Sequence, residues 1–364
     1  MRILVTGGAG FIGRQIVAAY LAQGHEVRVI DAALEDAHGP VRPEAPAGAE
    51  TIWADLRDDG AAERAVQGVD LVCHQAALPG RGREIFDAAK YVGCNDLGTA
   101  ALLAAMAKHG PRRLILASSV VVYGEGRYTC AEHGEVTPAP RREEDLREGR
   151  FDPPCPTCGA PLGPVPVLED AEAEPRNIYA VTKLAQEYLC RIWAHEVGGS
   201  CAALRYHSVY GPGISYGSPY SGTVAAFRAA LDRGDPPDVY EDGTQLRDYV
   251  HVADVAAANV AAARWEGQGF RAFNVASGDP RPLIDMARVL SAAAGGGEPV
   301  ISGTFRLGDI RHIAASPERL MRELGWRPRV GFEAGFKEFA TARLRDVTPR
   351  ARGEAAAAGA GGPA

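Results

Sequence analysis

Apolar positions along the first 120 residues switch between two periods. Met1 to Thr6 (MRILVT) is a short apolar run that ends in glycines, Phe11 to Gln23 carries apolar residues at helical spacing, and Glu26 to Ile30 is apolar again. That pattern predicts strand, glycine turn, helix, strand. It continues with a strand at Thr51–Trp53 before a polar turn at Asp55, a helix at Gly60–Gln67 and a strand at Val69–His74. A helix at Asn95–His109 and a strand at Arg113–Ala117 follow. Strands that alternate with helices predict an α/β fold built on a doubly wound parallel sheet.

The period then breaks. Residues 127–168 hold no sustained pattern, are rich in proline and carry a charged stretch at 141–150. A structureless loop of that length is uncommon inside a domain, so it reads as an inserted module with its own source of order. Helical spacing returns at Tyr179–Val197 and a strand at Ala202–Ser208, with shorter elements to about Arg345. Residues 346–364 offer almost nothing to bury and read as a disordered tail. There is no internal repeat.

Composition narrows the class. Of 364 residues, 46% are apolar and 23% charged, enough hydrocarbon for a sizeable core. The formal charge of −7 offers no chain-wide basic surface, so nucleic acid is not an expected partner. No apolar run reaches the length of about eighteen residues that a membrane span needs, and the N-terminus reads as a strand instead of a signal peptide. Seven cysteines are too few and odd in number for a secreted disulfide framework, so a soluble, cytoplasmic protein is expected.

Two clusters carry chemistry. Gly7-Gly8-Ala9-Gly10-Phe11-Ile12-Gly13 follows a strand and opens a helix, and Gly8, Gly10 and Gly13 satisfy the G-x-G-x-x-G dinucleotide fingerprint. Small residues let the backbone approach a pyrophosphate, whose charge a helix N-terminus stabilises. Asp31 ends the second strand, where a carboxylate accepts hydrogen bonds from an adenosine ribose and repels a 2′-phosphate. Ala32 and Ala33 follow it, so NAD is favoured over NADP. Tyr179 and Lys183 lie four apart on a predicted helix, hence on one face. A neighbouring ammonium and a cationic nicotinamide both favour the phenolate. Ser119, at the end of a strand, could bond the same substrate oxygen.

The set of these segments resembles a known family. Gly7–Gly13, Ser119 to Gly124, Tyr179/Lys183, Leu204-Arg205-Tyr206, Arg247 to Val252 with Asp254, Phe273-Asn274-Val275 and Leu324-Gly325-Trp326 occur in the order seen in extended short-chain dehydrogenases/reductases of the NAD-dependent nucleotide-sugar epimerase/dehydratase family. The resemblance implies a Rossmann NAD-binding domain over 1–208, interrupted by the insertion at 127–168, and a smaller α/β region over 209–345 that mainly binds the nucleotide sugar. It implies that Asp55 and Leu56 flank the adenine, that Ala76 and Ala77 line the cofactor groove and that Asn95 supports the core beside it. It further implies that Arg247 and Arg306 hold a pyrophosphate, with Asp309 nearby, and that the protein is a homodimer through the helices at 95–109 and 179–197.

Departures from the family pattern narrow the reaction. Dehydratases of this kind carry an Asp-Glu pair just after the position of Ser119, and decarboxylases a Glu; here Val120 and Val121 stand there, and neither can move a proton. Galactose-type epimerases usually carry Asn three residues before the glycine matched by Gly211; here Ser208 stands there, preceded by His207, which changes the sugar pocket. Either a structural role or a contact with substrate suits His207.

Within the insertion, Cys130-Ala-Glu-His133 and Cys155-Pro-Thr-Cys158-Gly159 are two ligand pairs whose spacing suits a tetrahedral structural zinc without an open position. The insertion resembles one found in a branch of dTDP-L-rhamnose 4-epimerases and related antibiotic-sugar enzymes. The expected activity is therefore an NAD-dependent 4-epimerase acting on a dTDP- or UDP-linked sugar. An NDP-4-ketosugar reductase with the same triad and a non-catalytic NAD-binding protein are the alternatives.

Overall fold

Ile3, Leu4 and Val5 are wholly excluded from solvent, as an apolar run covered on both faces requires. The computed structural model describes residues 1–80, 85–216 and 222–347. The run is strand β1 (Arg2–Thr6), followed by helix α1 (Phe11–Ala22), β2 (Glu26–Asp31), β3 (Glu50–Trp53), α2 (Ala61–Val66) and β4 (Leu71–His74). Then come α3 (Gly98–His109) and β5 (Arg113–Ser119), the insertion strands β6 (Arg127–Cys130), β7 (Gly134–Val136) and β8 (Gly163–Val165), α4 (Ile178–Val197), β9 (Ser200–Tyr206), α5 (Val252–Ala262) and β10 (Gly269–Val275). Seven strands form one sheet in the order β10-β9-β5-β4-β1-β2-β3, and every adjacent pair is parallel. Alternate residues of β1 point to opposite layers. Ile3 and Val5 join Ile16, Val17 and Val255 on one face, while Leu4 joins Ala65, Leu102 and Trp193 on the other.

The chain leaves β1 toward β2 and β3, then returns to β4 on β1's other side. Strand order reverses there, and the crevice at the carboxyl ends of β1 and β4 is where such sheets hold ligands.

Three expected boundaries move. The chain does not divide once at 208, because α5 and β10 come back to the sheet: α5 packs on α1, and β10 pairs along its length with β9. Alanine-rich α5 buries most of its length and β10 its last four residues, which accounts for the return. The smaller core beyond the sheet gathers Tyr210, Phe227, Tyr249, Met286, Phe336 and Phe339. The tail expected from 346 is anchored further along, since Val347 is buried and packs against Gly39, and Arg345–Asp346 pairs with Ser215–Tyr216. Residues 348–364 lie outside the described residues. The helix expected from Asn95 begins instead at Gly98, after a π-helical turn at Val92–Leu97.

The insertion is a three-stranded antiparallel sheet, β7-β6-β8, around Tyr128, Cys130, Cys155 and Leu162. Strands of three or four residues supply little core of their own.

Candidate active site

A cavity of about 360 Å³ opens at the crevice between β1 and β4. Gly7, Gly10, Phe11, Ile12 and Gly13 form one wall, and Asp31, Asp55, Leu56, Ala76 and Ala77 another. The glycines test the fit to a dinucleotide. Gly7 has φ +66° and a Cβ there would come within 2.8 Å of Ala76, while one at Gly13 would meet the Gly7 carbonyl at 2.2 Å. Gly8 lies flat on Val29. At Gly10 a Cβ would touch only the Gly7 carbonyl at 3.2 Å and would otherwise occupy the cavity wall, so its absence leaves the cradle that a pyrophosphate needs at the start of α1.

Asp31 stands almost fully buried on that wall. Its carboxylate accepts from the amides of Ala9 (3.0 Å) and Ala33 (2.8 Å) and lies 3.2 Å from His38 Nε2. Burial alone would raise its pKa, but His38 and the two amides outweigh burial and hold it below the ordinary value. Ala33 turns its N–H back to Asp31 with φ +49°, an uncommon conformation for a residue with a Cβ. The resulting anion suits ribose hydroxyls and opposes a 2′-phosphate, so the residues present fit NAD.

His74, at the end of β4, fixes the opposite wall. The Thr6 hydroxyl already accepts from the amides of Gln75 and Ala76, so it donates to His74 Nδ1 at 2.7 Å. His74 Nε2 then donates to Thr99 at 2.9 Å, because the Thr99 hydroxyl spends its proton on the Asn95 carbonyl. The imidazole is neutral, and burial pushes it down to about 3. Asn95 is itself fully buried outside the cavity. It bonds the Leu78 amide at 2.7 Å and Thr182 of α4 at 2.9 Å, tying the cavity wall to α4.

Tyr179 and Lys183 face the same cavity from α4, whose first turn is capped by Asn177 through the Ala180 amide. Lys183 Nζ donates to the Ala117 carbonyl at 2.8 Å, and burial pushes its pKa down to about 8. Burial raises the Tyr179 phenol above its ordinary value, while the Ser119 hydroxyl bonds it and opposes that shift. Ser119, Val120 and Val121 are half-buried at the end of β5 and are not among the residues lining either cavity described here; the neighbouring Ser118 is.

A second, larger cavity of about 2030 Å³ adjoins the first, sharing Val209, Ile214 and Gly222. It is lined by Ser208, Arg247, Arg306 and Asp309, and by Arg176 and Tyr240, which the sequence did not single out. Arg306 is exposed and lies over the Tyr240 ring at 4.8 Å. Arg247 uses its guanidinium on the carbonyls of Leu246, Ile310 and Arg311, so it braces the wall that carries Asp309. His207 lines neither cavity; it is buried, and desolvation pushes it down to about 3.

Two cations beside the glycine loop have no motif to announce them. Arg14 Nε donates to the Ala9 carbonyl at 2.9 Å, and Arg345, reaching in from the C-terminal segment, bonds Gly213 at 3.1 Å and approaches the same carbonyl at 3.4 Å. Guanidinium groups beside the glycine loop complement a diphosphate.

In the insertion, Cys130, His133, Cys155 and Cys158 bring one donor atom each to within 4.8 Å of one another. Cys130 Sγ stands 3.7 Å from Cys158 Sγ and 3.6 Å from His133 Nδ1, and Cys155 Sγ is 3.8 Å from the same nitrogen. A zinc tetrahedron with bonds of about 2.3 Å has edges of about 3.8 Å. Backbone amides of Glu132 and His133 point at the Cys130 sulfur, and those of Cys158 and Thr157 at Cys155, holding both thiols below their ordinary values. The donor set fits zinc.

A doubly wound sheet with a dinucleotide cradle, and a Ser-Tyr-Lys set of which Tyr179 and Lys183 face that same cavity, define an oxidoreductase-type site of the short-chain dehydrogenase kind. The model of the NAD dependent epimerase/dehydratase family matches residues 3–160 and 155–276, and the chain belongs to that family. It is 36% identical over 93% of its length to dTDP-L-rhamnose 4-epimerase of Burkholderia thailandensis, covering 94% of that protein. Among solved structures it resembles the UDP-glucose 4-epimerase of Thermus thermophilus in complex with NAD (30% identity, TM-score 0.73, 93% of this chain and 98% of that one). It also resembles MoeE5 in complex with UDP-glucuronic acid and NAD (27% identity, TM-score 0.72, the same coverages).

Proposed function

We propose that the protein is an NAD-dependent nucleoside-diphosphate-sugar 4-epimerase that interconverts C4 epimers of a dTDP- or UDP-linked sugar. The observation that carries this reading is a complete Ser119, Tyr179 and Lys183 set beside the dinucleotide cradle, followed by two valines where elimination needs an acid. Bound NAD supplies the acceptor for the C4 hydride and the donor for its return. Tyr179 takes the proton of the C4 hydroxyl, Ser119 orients that oxygen, and the Lys183 charge favours the phenolate. The buried phenol keeps water from the 4-keto sugar while the sugar presents its other face. Tyr179 then returns the proton. Gly7, Gly8, Gly10, Gly13, Asp31 and the Ala76-Ala77 wall hold the cofactor, and the cavity lined by Ser208, Arg306 and Asp309 takes the sugar nucleotide.

Three further features belong to the same reading. The Cys130, His133, Cys155 and Cys158 cluster holds one structural zinc. Val181, Tyr188 and Ile192 form an exposed apolar stripe on α4, beside exposed Val92 and Leu97, and this surface joins two copies of the chain. No helix among the described residues is long and apolar enough to cross a membrane, and seven free cysteines suit the reducing cytoplasm.

The deciding experiment follows deuterium placed at C4 of dTDP-L-rhamnose, and secondly of UDP-glucuronic acid, with protein purified without added cofactor. Epimerisation with retention of the label and no net consumption of NADH is expected. Reduction of a 4-keto sugar nucleotide with one NADH oxidised per product, and no epimerisation, replaces this reading with a ketoreductase.

A further inference from the structure

The insertion reaches the wall of the larger cavity. Residues 306–313, which carry Arg306 and Asp309, contain no helix or regular strand. A wall of that kind holds its shape only where its backbone groups are tied down. Arg247 ties it from within. From outside it is held by Arg141, which stands between the two Cys/His pairs. The Arg141 side chain is 5% exposed, donates to the Asp309 carbonyl at 2.5 Å and to Glu241 Oε1 at 2.8 Å, and contacts the Phe151 carbonyl at 3.3 Å.

Asp152, also from the insertion, completes the hold. It accepts from Arg311 Nε at 2.7 Å and lies 3.0 Å from His312 Nε2. His312 Nδ1 accepts from the Leu246 amide, so Nε2 carries the proton and donates to Asp152. Arg311 is fully buried, and its remaining donors go to Glu241, Asp242 and Thr244. Glu241 thus sits between two guanidiniums, with φ +55°, and lines the cavity itself. Arg311 is shared by three carboxylates and Glu241 by two guanidiniums, so the contacts from the insertion and those within the wall form one connected network.

We propose that Arg141 and Asp152 are positioning residues that set the sugar-nucleotide wall, so that the insertion governs substrate affinity and selectivity and is not a free-standing interaction module. The proposal rests on the reading of the larger cavity as the sugar-nucleotide site. The Cys/His cluster closes the chain on both sides of Arg141 and Asp152, which fixes where their side chains emerge.

The test compares Arg141→Met, which keeps the stem and loses the donors, with Arg142→Met, whose parent side chain is 72% exposed and pairs with Asp145. Hydrogen exchange of amides 306–313 is measured in the holoprotein, with steady-state kinetics and calorimetry of dTDP and UDP on the same samples. For Arg141→Met, exchange should quicken and KM should rise by on the order of tenfold, with kcat within about twofold and bound NAD unchanged. Arg141→Lys, which retains a charge for Glu241, should recover part of the KM. Equal exchange and equal KM in the two methionine variants would overturn the proposal, as would a fall in kcat that tracks lost NAD with KM unchanged. If the wild type epimerises none of the sugars, the 4-epimerase reading fails, while exchange and nucleotide affinity still decide the role of Arg141.

Discussion

Lys183 Nζ donates to the Ala117 carbonyl and stands 5.7 Å from the centre of the Tyr179 ring, so the charge that favours the phenolate is pinned to the strand leading to Ser119. That backbone hydrogen bond helps couple α4 to the sheet. Burial opposes ionisation of both groups; the Ser119 hydrogen bond works against it at Tyr179, and the nearby Asp96 carboxylate at Lys183.

Replacing Tyr179 with Phe keeps the ring, including its edge contact with Tyr91, and removes only the proton acceptor. Turnover should fall by roughly a thousandfold or more with NAD still bound. Single-turnover kinetics on protein assayed for cofactor content check this; a rate near that of the wild type removes Tyr179 from the chemistry.

The two histidines at pKa about 3 make stability depend on pH in a definite direction. In the unfolded chain each binds a proton near pH 6.5, whereas in the folded protein His74 and His207 stay neutral until far lower. The unfolded state therefore binds more protons between about pH 6.5 and 3, and stability falls as pH falls through that window. Each contributes a slope of up to about 1.4 kcal/mol per pH unit. Denaturant melts at pH 7, 6 and 5 should show this loss, and His207→Asn should flatten part of it. A midpoint that does not move between pH 7 and 5 contradicts the assignment.

The cradle was legible in the sequence because its glycines answer to local sterics: Gly7 and Gly13 touch backbone a few residues away or on a neighbouring strand's end. Tyr179 and Lys183 were legible for the same reason, four residues apart on one helix. Arg14 follows the last glycine, yet no pattern marks its turn back to Ala9. His38 and Arg345 come from segments without period, and Arg345 reaches Ala9 across 336 residues of chain. Arg247 shows the converse. Its place in a motif suggests a diphosphate, but three carbonyls of its own and neighbouring segments claim its donors.

The Cys/His cluster predicts one zinc per chain, and elemental analysis of purified protein at neutral pH checks it. Cys155→Ser should lose the metal and loosen the insertion, with tryptic cleavage at Arg141, Arg142, Arg147 and Arg150 accelerated several-fold, because ligation supplies order that this proline-rich chain lacks. Protein with no metal and unchanged cleavage excludes the site.

The last prediction concerns assembly. Val181, Tyr188 and Ile192 recur seven and four residues apart, so they fall on one stripe of α4, and each is about half exposed. Val92 and Leu97 extend the apolar surface beside α3, which packs against α4. A two-fold axis through this helix pair would bury the stripe of each copy against the other, an isologous contact that closes on itself. Light scattering should give about twice the chain mass for the wild type. Ile192→Asp places a charge on the stripe and should yield monomers at micromolar concentration, with NAD retained, since the cofactor cavity lies on the other side of the helix's buried face. A wild-type monomer, or a dimer unaffected by the charge, puts the interface elsewhere.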